Sequence, residues 1–484
     1  MKLFYLFKII LWFCSIRAEE YNLSGDAGQA YSIDILMGHP KQKLRVIVDT
    51  GSTTLAIASY ARRENDEYFH VDNSTTLDDS GKEVQAKYSQ GNWIGHYVTD
   101  FVEIPSLKNI REVRSDFAII TKSHKFFVNG SGWQGLLGLA YEPVGAWGEH
   151  VIVGSWLDSL ECDLGKSVSF ELKLCGVQST TNAIHYGKFS MIVDENIPNN
   201  TSPFRTPILH KRWYEIGVLA IGIRHPNETL NNSIAPDTFV SDNPNEEMCQ
   251  KLNQQKSIVD SGTTDIRLPD EVYRELVHKL RQESQALNML ILDEFWYHGE
   301  AACWPEPQEW LALPWLQIDL LSDVADNQYF TLEIPPQNYM RVVTARNSSG
   351  DGGSVSQFCY KLGLEAGGVD TVLGYTAMEG LKVLFNRSGG WIGFDTSSCG
   401  PNARVSGPYT VPYSFIDSCK LTRSDSETAV SIKAAQWALC VISIVAGFVL
   451  IYLLAPAVRM CILRRRQSSA HSVSQDALVD QELS

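Results

Sequence analysis

Two heptapeptides in this chain are near copies of each other: IVDTGST from Ile47 and IVDSGTT from Ile258. Each has an apolar pair, an aspartate, a hydroxyl residue, a glycine and two more hydroxyl residues. A glycine two residues after an aspartate marks a tight turn where the backbone comes close to another group. One such copy reads simply as a strand ending in a turn. Two copies point to Asp49 and Asp260 working as a pair. Two carboxyls held close cannot both ionise cheaply, so one keeps its proton over a wide pH range. The ionised member can take a proton from a water between them while the protonated member polarises a carbonyl. That is general acid–base hydrolysis, with no metal, cofactor or covalent intermediate. The expected supports are Thr50, Gly51 and Ser52 in one copy and Ser261, Gly262 and Thr263 in the other. The glycines let both carboxylates approach one water, and Ser52 and Thr263 are placed to hydrogen-bond the outer oxygens. The two apparent pKa values then belong to the pair.

The elements that must position the aspartates are also repeated. WQGLLGLAY (Trp133–Tyr141) follows the first copy and DTVLGYTAMEG (Asp370–Gly380) the second, each with two apolar residues before Gly138 or Gly374. Each half therefore reads as strand, Asp-turn, long β excursion and apolar-apolar-Gly. Two similar lobes, each giving one aspartate, account for this. Short runs such as YSIDILMG, LRVIVDT, FELKLC and KVLFN alternate at period two between turn clusters, which predicts a mostly β protein. The clearest helical stretch is PDEVYRELVHKLRQES from Pro269, with Pro in its first turn and acidic residues near its start.

The chain of 484 residues is 44% hydrophobic and 20% charged, as a folded protein of more than one lobe should be. Its net charge of −15 argues against a nucleic-acid partner. Residues 1–18 read as a secretory signal. Nine Asn-X-Ser/Thr sequons, at Asn22, Asn73, Asn129, Asn199, Asn200, Asn227, Asn231, Asn347 and Asn386, suggest a glycosylated luminal surface. Residues 434–458 carry no charge and exceed the roughly 20 needed to cross a bilayer as a helix. Arg459 and Arg464 to Arg466 follow, which makes 459–484 a cytosolic tail and the chain a type I single-pass protein. A lipid-anchor signal is the competing reading, but it would end at the apolar stretch. Of ten cysteines, Cys162, Cys175, Cys249, Cys303, Cys359, Cys399 and Cys419 lie outside the signal, span and tail, enough for three bridges and one remainder in an oxidising compartment.

On DTGS at Asp49, DSGTT at Asp260 and both apolar-apolar-Gly elements, residues 25 to 420 resemble the pepsin-like aspartic proteases. SIVDSGTT-x-x-RLP (Ser257–Pro269), GLLGLAY from Gly135, and MEG…VLF-x-R…IGF from Met378 resemble the membrane-anchored beta-secretase branch more closely. The resemblance implies a bilobal β fold with the active-site cleft between the lobes and a C-terminal transmembrane helix. It implies a flap hairpin at YSQGNW, with Tyr88, Ser89 and Gln90 over bound substrate and Trp93 supporting Tyr88 by a hydrogen bond. It places Phe126, Trp133 and Leu136 in apolar subsites, with three core residues as the alternative, and it puts Tyr214 on the far side of the cleft. Thr264 and Arg267 become substrate contacts. Asp265, two residues before Arg267, is expected on the same face of an extended strand, where it would neutralise the arginine and weaken any preference for acidic substrates. Ala56 stands where many soluble relatives carry Trp.

The resemblance also selects the bridges Cys175–Cys399, Cys249–Cys419 and Cys303–Cys359; Cys162 has no counterpart and is expected as a buried thiol, with an intermolecular bridge as the alternative. It divides the chain into signal (1–18), a short segment (19–27), N-terminal lobe (28–205), C-terminal lobe (206–420), stalk (421–433), span (434–458) and tail (459–484). A prosegment of several tens of residues, usual in the family, does not fit between Ala18 and Gly28, so the expectation is either an enzyme made without one or an N-terminus that is incomplete in this sequence. The expected partners are extended protein or peptide segments, in particular the luminal stems of type I membrane proteins. The alternative is an inactive binding or receptor ectodomain on the same fold, which both intact aspartates argue against.

Overall fold

The computed structural model describes residues 21–26, 30–63, 66–88, 91–127, 131–141, 155–177, 184–193, 202–225, 246–304, 309–350 and 353–423, with scattered helical positions between 442 and 456. Residues up to 423 form one compact unit and those from 424 a second. Among the described residues no helix is long and apolar enough to cross a membrane. The span expected at 434–458 lies largely outside the described residues, as do the signal (1–18) and tail (459–484).

Alternation builds the sheets. In strand Gln42–Asp49, Leu44, Val46 and Val48 turn into the core while Lys43 and Arg45 face outward. Both cations meet Asp34 on the adjacent strand Ser32–Met37, each at 2.9 Å. A 13-stranded sheet starts at the edge strand Asp78–Tyr88, runs through the first half, and ends on Leu381–Asn386, Trp391–Thr396 and Arg205–Pro207. The second half thus shares a sheet with the first, with Phe385 opposite Phe170 across the join. Two four-stranded sheets and one of three complete the β structure among the described residues.

The sequence repeat is a topological repeat. Strand Gln42–Asp49 runs parallel to Gly135–Gly138, whose other side pairs antiparallel with Ala56–Ala58. Strand Ser257–Val259 runs parallel to Thr371–Leu373, whose other side pairs antiparallel with Ile266–Leu268. In both halves the Asp-turn joins the two outer strands over the end of the middle one. The middle strand must end on glycine: a Cβ on Gly138 would fall 2.5 Å from the Thr53 carbonyl carbon, and one on Gly374 would fall 2.3 Å from the Asp265 carbonyl oxygen. The apolar pairs before these glycines anchor the turns, because Leu137 and Leu373 lie in the main core with Val48 and Val259.

Helix Asp270–Ala286 buries Val272, Leu276, Val277 and Leu280 on one stripe, each burial contributing about 1.5–3 kcal/mol. Pro269 is its N-cap, one position earlier than the first-turn placement read from the sequence. Disulfides join Cys175 to Cys399, Cys249 to Cys419 and Cys303 to Cys359. Cys162 corrects an expectation: its thiol is free but exposed. It sits on helix Trp156–Leu164, whose inner face is taken by Trp156, Leu157 and Leu160, and position 162 points away from that stripe.

Candidate active site

The two Asp-turns face each other and are laced together by their hydroxyl residues. The Thr50 hydroxyl donates to the Val259 carbonyl at 2.8 Å and accepts from the Ser261 backbone N–H at 2.9 Å. Reciprocally, the Ser261 hydroxyl donates to the Val48 carbonyl at 2.7 Å and accepts from the Thr50 N–H at 3.1 Å. These four bonds are buried, and they fix one turn against the other without touching either carboxylate. That is the physical reason each copy carries a short hydroxyl residue directly after Asp.

Each carboxylate is held in the same way. Asp49 accepts the Gly51 N–H at 2.8 Å and the Ser52 hydroxyl at 2.5 Å. Asp260 accepts the Gly262 N–H at 2.8 Å, the Thr263 N–H at 3.3 Å and the Thr263 hydroxyl at 2.7 Å. The glycines do more than turn the chain. A Cβ on Gly51 would lie 2.5 Å from the carboxyl carbon of Asp260, and one on Gly262 would lie 2.3 Å from an oxygen of Asp49. Each carboxylate therefore rests over the glycine of the opposite turn. Both aspartates are nearly buried, at 7% and 9% exposure. Burial first, and the neighbouring Asp260 charge second, push the Asp49 carboxyl well above the usual carboxylate range; hydrogen bonds from Ser52 and Gly51 only partly offset them. A pair in this state can hold one proton and leave the other carboxylate free to act as a base.

The hairpin of Asp78–Tyr88 and Gly91–Glu103 closes with Tyr88 opposite Gly91. Ser89 and Gln90, at its tip, lie outside the described residues. Burial, and then the Asp49 charge, raise the Tyr88 hydroxyl pKa, which ties this half-buried side chain electrostatically to the dyad. Trp93 is buried and favours the ionised form of that hydroxyl, but its Nε1 makes no hydrogen bond of ordinary geometry, so its support is mainly packing. An aromatic row runs from Tyr88 to Phe126 (centroids 5.4 Å) and on to Trp133 (5.9 Å). Leu136 packs beneath it with Ala56, Trp93, Ala118 and Ile120. Thr264 is half-buried, and its carbonyl accepts the Thr376 N–H at 3.1 Å.

Two expectations need correction. Tyr214 does not border open cleft: it is 0% exposed, and its hydroxyl donates to the Leu139 carbonyl at 2.6 Å. In the RWYE stretch around it, Trp213 and Glu215 are half-buried and Arg212 is exposed. Asp265 does not pair with Arg267. Asp265 precedes strand Ile266–Leu268, so strand alternation does not govern it, and it turns to the largely covered Arg341 at 3.0 Å. Arg267 instead meets Glu365 at 3.3 Å, a partner brought alongside by the parallel neighbour strand. Arg341 carried no sequence signal that reasoning by motif could use.

The sequons divide. Asn73 is exposed in a short turn, whereas Asn129, Asn199, Asn200, Asn227 and Asn231 lie outside the described residues. Asn347 lies on strand Met340–Gly350. Asn22 and Asn386 are unsuited to a glycan. Asn22 donates to the Phe189 carbonyl at 2.9 Å and to Ser106, and accepts the Phe189 N–H at 2.8 Å. Asn386 is 7% exposed, and its oxygen accepts the Gly389 N–H at 2.7 Å. Glycopeptide mapping of the chain expressed through a eukaryotic secretory pathway should find Asn73 occupied and Asn22 and Asn386 bare; a glycan on Asn386 would contradict this packing.

The fold of two matched turns, each presenting one aspartate to the other, agrees with what comparison of the chain with known proteins finds. The sequence profile of the eukaryotic aspartyl proteases matches residues 30–192. The chain belongs to this family, the pepsin-like aspartic endopeptidases. It is 30% identical over 406 residues to a beta-secretase of Strongylocentrotus purpuratus, covering 80% of this chain and 69% of that one. Shorter similarities, also at 30% identity, reach vacuolar protease A of Aspergillus fumigatus (24% of this chain, 29% of that one) and aspartic proteinase A2 of Arabidopsis thaliana (27% and 28%).

Proposed function

We propose that this protein is a membrane-anchored endopeptidase of the beta-secretase type, hydrolysing peptide bonds through Asp49, Asp260 and a water held between them. The observation that carries the reading is the mutual seating of each carboxylate over the other turn's glycine. One carboxyl of the pair keeps the shared proton and donates toward the scissile carbonyl, while the other takes a proton from the attacking water. Substrate lies extended under the Tyr88 hairpin, with an apolar side chain against Phe126 and Trp133. The uncharged stretch 434–458 supports anchoring in a secretory or endosomal membrane, and an anchored protease favours luminal stems of other membrane proteins. Cleavage of an internally quenched peptide library by the purified full chain at about pH 4–6 tests this, since a dyad sharing one proton works in weak acid. No cleavage at any pH, with peptide still bound, would instead indicate an inactive binding protein.

Stability should follow the same acid preference. Burial raises the carboxyls of Asp49, Asp265 and Glu379, and raises Asp319 to about 7. The folded state thus holds protons that the unfolded chain releases above about pH 4. Stability must therefore fall as pH rises through the window from there to about 8. Calorimetry at constant ionic strength should show Tm several degrees lower at neutral pH than in weak acid. A Tm that climbs toward neutrality would contradict it.

A further inference from the structure

Arg387, from the VLF-x-R stretch, is 5% exposed and lies behind the two Asp-turns. Its Nη1 donates to the carbonyls of Leu139 and Ala140, each at 3.3 Å, and to the Tyr214 hydroxyl at 3.4 Å. Its Nη2 meets Asp158 at 2.9 Å, its Nε lies 3.7 Å from Glu161, and the guanidinium covers the Tyr141 ring. Asp158 in turn caps helix Trp156–Leu164 with Ser155, so the buried cation is both neutralised and held in place by a fixed element.

The groups Arg387 grips are those that hold the turns. The Leu139 N–H donates to the Asp49 carbonyl at 2.8 Å, and the Ala140 N–H donates to the Ser52 carbonyl at 2.9 Å. The Leu139 carbonyl that receives both Tyr214 and Arg387 belongs to the same peptide unit as that Ala140 N–H. On the other side, the Tyr214 carbonyl accepts the Val259 N–H, next to Asp260, at 3.2 Å. One planar cation and one tyrosine therefore connect the backs of both turns, below the Thr50–Ser261 lacing.

We propose that Arg387 is a positioning residue for peptide hydrolysis, clamping from beneath the backbone that carries Asp49 and, through Tyr214, the backbone that carries Asp260. This rests on the dyad reading above. Only a guanidinium has donors spread in one plane to reach two carbonyls, a hydroxyl and a carboxylate together; a lysine supplies the charge without the fork. Misplacing reacting groups by a fraction of an ångström to an ångström lowers turnover strongly even when the altered residue is remote.

The test compares the full chain with its Arg387→Lys and Tyr214→Phe variants, measuring turnover per active site titrated with a tight-binding peptide inhibitor, and amide hydrogen exchange at Leu139 and Ala140. Arg387→Lys should lower kcat by about tenfold to a hundredfold with KM within about twofold, displace the pH–rate profile, and speed exchange at Ala140. Tyr214→Phe should do the same to a smaller degree and serves if the lysine variant fails to fold. Unchanged exchange at Ala140 would overturn the clamp whether or not the protein cleaves peptides. Faster exchange with kcat per titrated site and pH profile unchanged would overturn its role in the reaction, leaving Arg387 a packing residue. Activity in the unaltered chain that is abolished by Asp49→Asn shows that any such failure belongs to Arg387 and not to the dyad.

Discussion

Asp49→Asn should lower kcat by about 10²–10⁴-fold while leaving the fold intact. The amide keeps the shape of the side chain, and its oxygen can still accept the Gly51 N–H or the Ser52 hydroxyl, but it cannot share the proton that the pair passes between water and carbonyl. The same loss is expected for Asp260→Asn. Because the two carboxyls act as one unit, the double variant should be no slower than the worse single one, whereas independent contributions would multiply. A second signature has the opposite sign. Burial and the Asp260 charge hold the Asp49 carboxyl high, so ionising it costs folding free energy as pH rises toward neutral. Asn at this position removes that cost, and the inactive variant should be more stable than the parent near pH 7, though not in weak acid. Turnover within tenfold of the parent, or equal loss of stability at both pH values, would count against Asp49 and Asp260 forming a coupled pair.

Arg341→Met should destabilise the fold by about 3–5 kcal/mol, a large part of the margin of a typical domain. Arg341 is nearly buried, with Nη1 on Asp265 at 3.0 Å, Nη2 on the Tyr375 hydroxyl at 2.5 Å and its guanidinium over the Tyr375 ring. Removing it leaves the Asp265 carboxylate, already raised by burial, without its principal counter-charge, because Arg267 is engaged by Glu365. Arg341→Met combined with Asp265→Asn removes both charges and should regain much of the loss, since an uncharged pair of similar volume has no stranded ion. Urea titrations of the parent, the single variants and the double variant measure the coupling directly. If the single arginine variant loses under about 1 kcal/mol, the ion pair is not a structural tie. Asp265 lies next to Thr264 and its carbonyl packs on Gly374, so the destabilised variant should also lose activity through the second Asp-turn.

What the sequence by itself determined is local and repeated. IVDTGST and IVDSGTT, with Leu136-Leu137-Gly138 and Val372-Leu373-Gly374, specify two strands, two turns and two glycine-ended middle strands. These demands are met by chemistry within a few residues: backbone reach, hydroxyl bonds to the preceding carboxylate, and burial of apolar pairs. Period-two patterning likewise reveals strands such as Gln42–Asp49, and family motifs point to Tyr88, Phe126 and Trp133. Tertiary structure alone decided which distant groups meet. Asp265 finds Arg341 and not the nearer Arg267, because the parallel neighbour strand sets Glu365 directly beside Arg267. Tyr214 enters the core rather than the cleft because its hydroxyl reaches Leu139. Cys162 faces outward because Trp156, Leu157 and Leu160 occupy the inner face of its helix. Arg387 acquires its partners only when the second half folds back onto the sheet of the first. A sequence records what each residue can bond; only the folded chain ranks the partners by burial and distance.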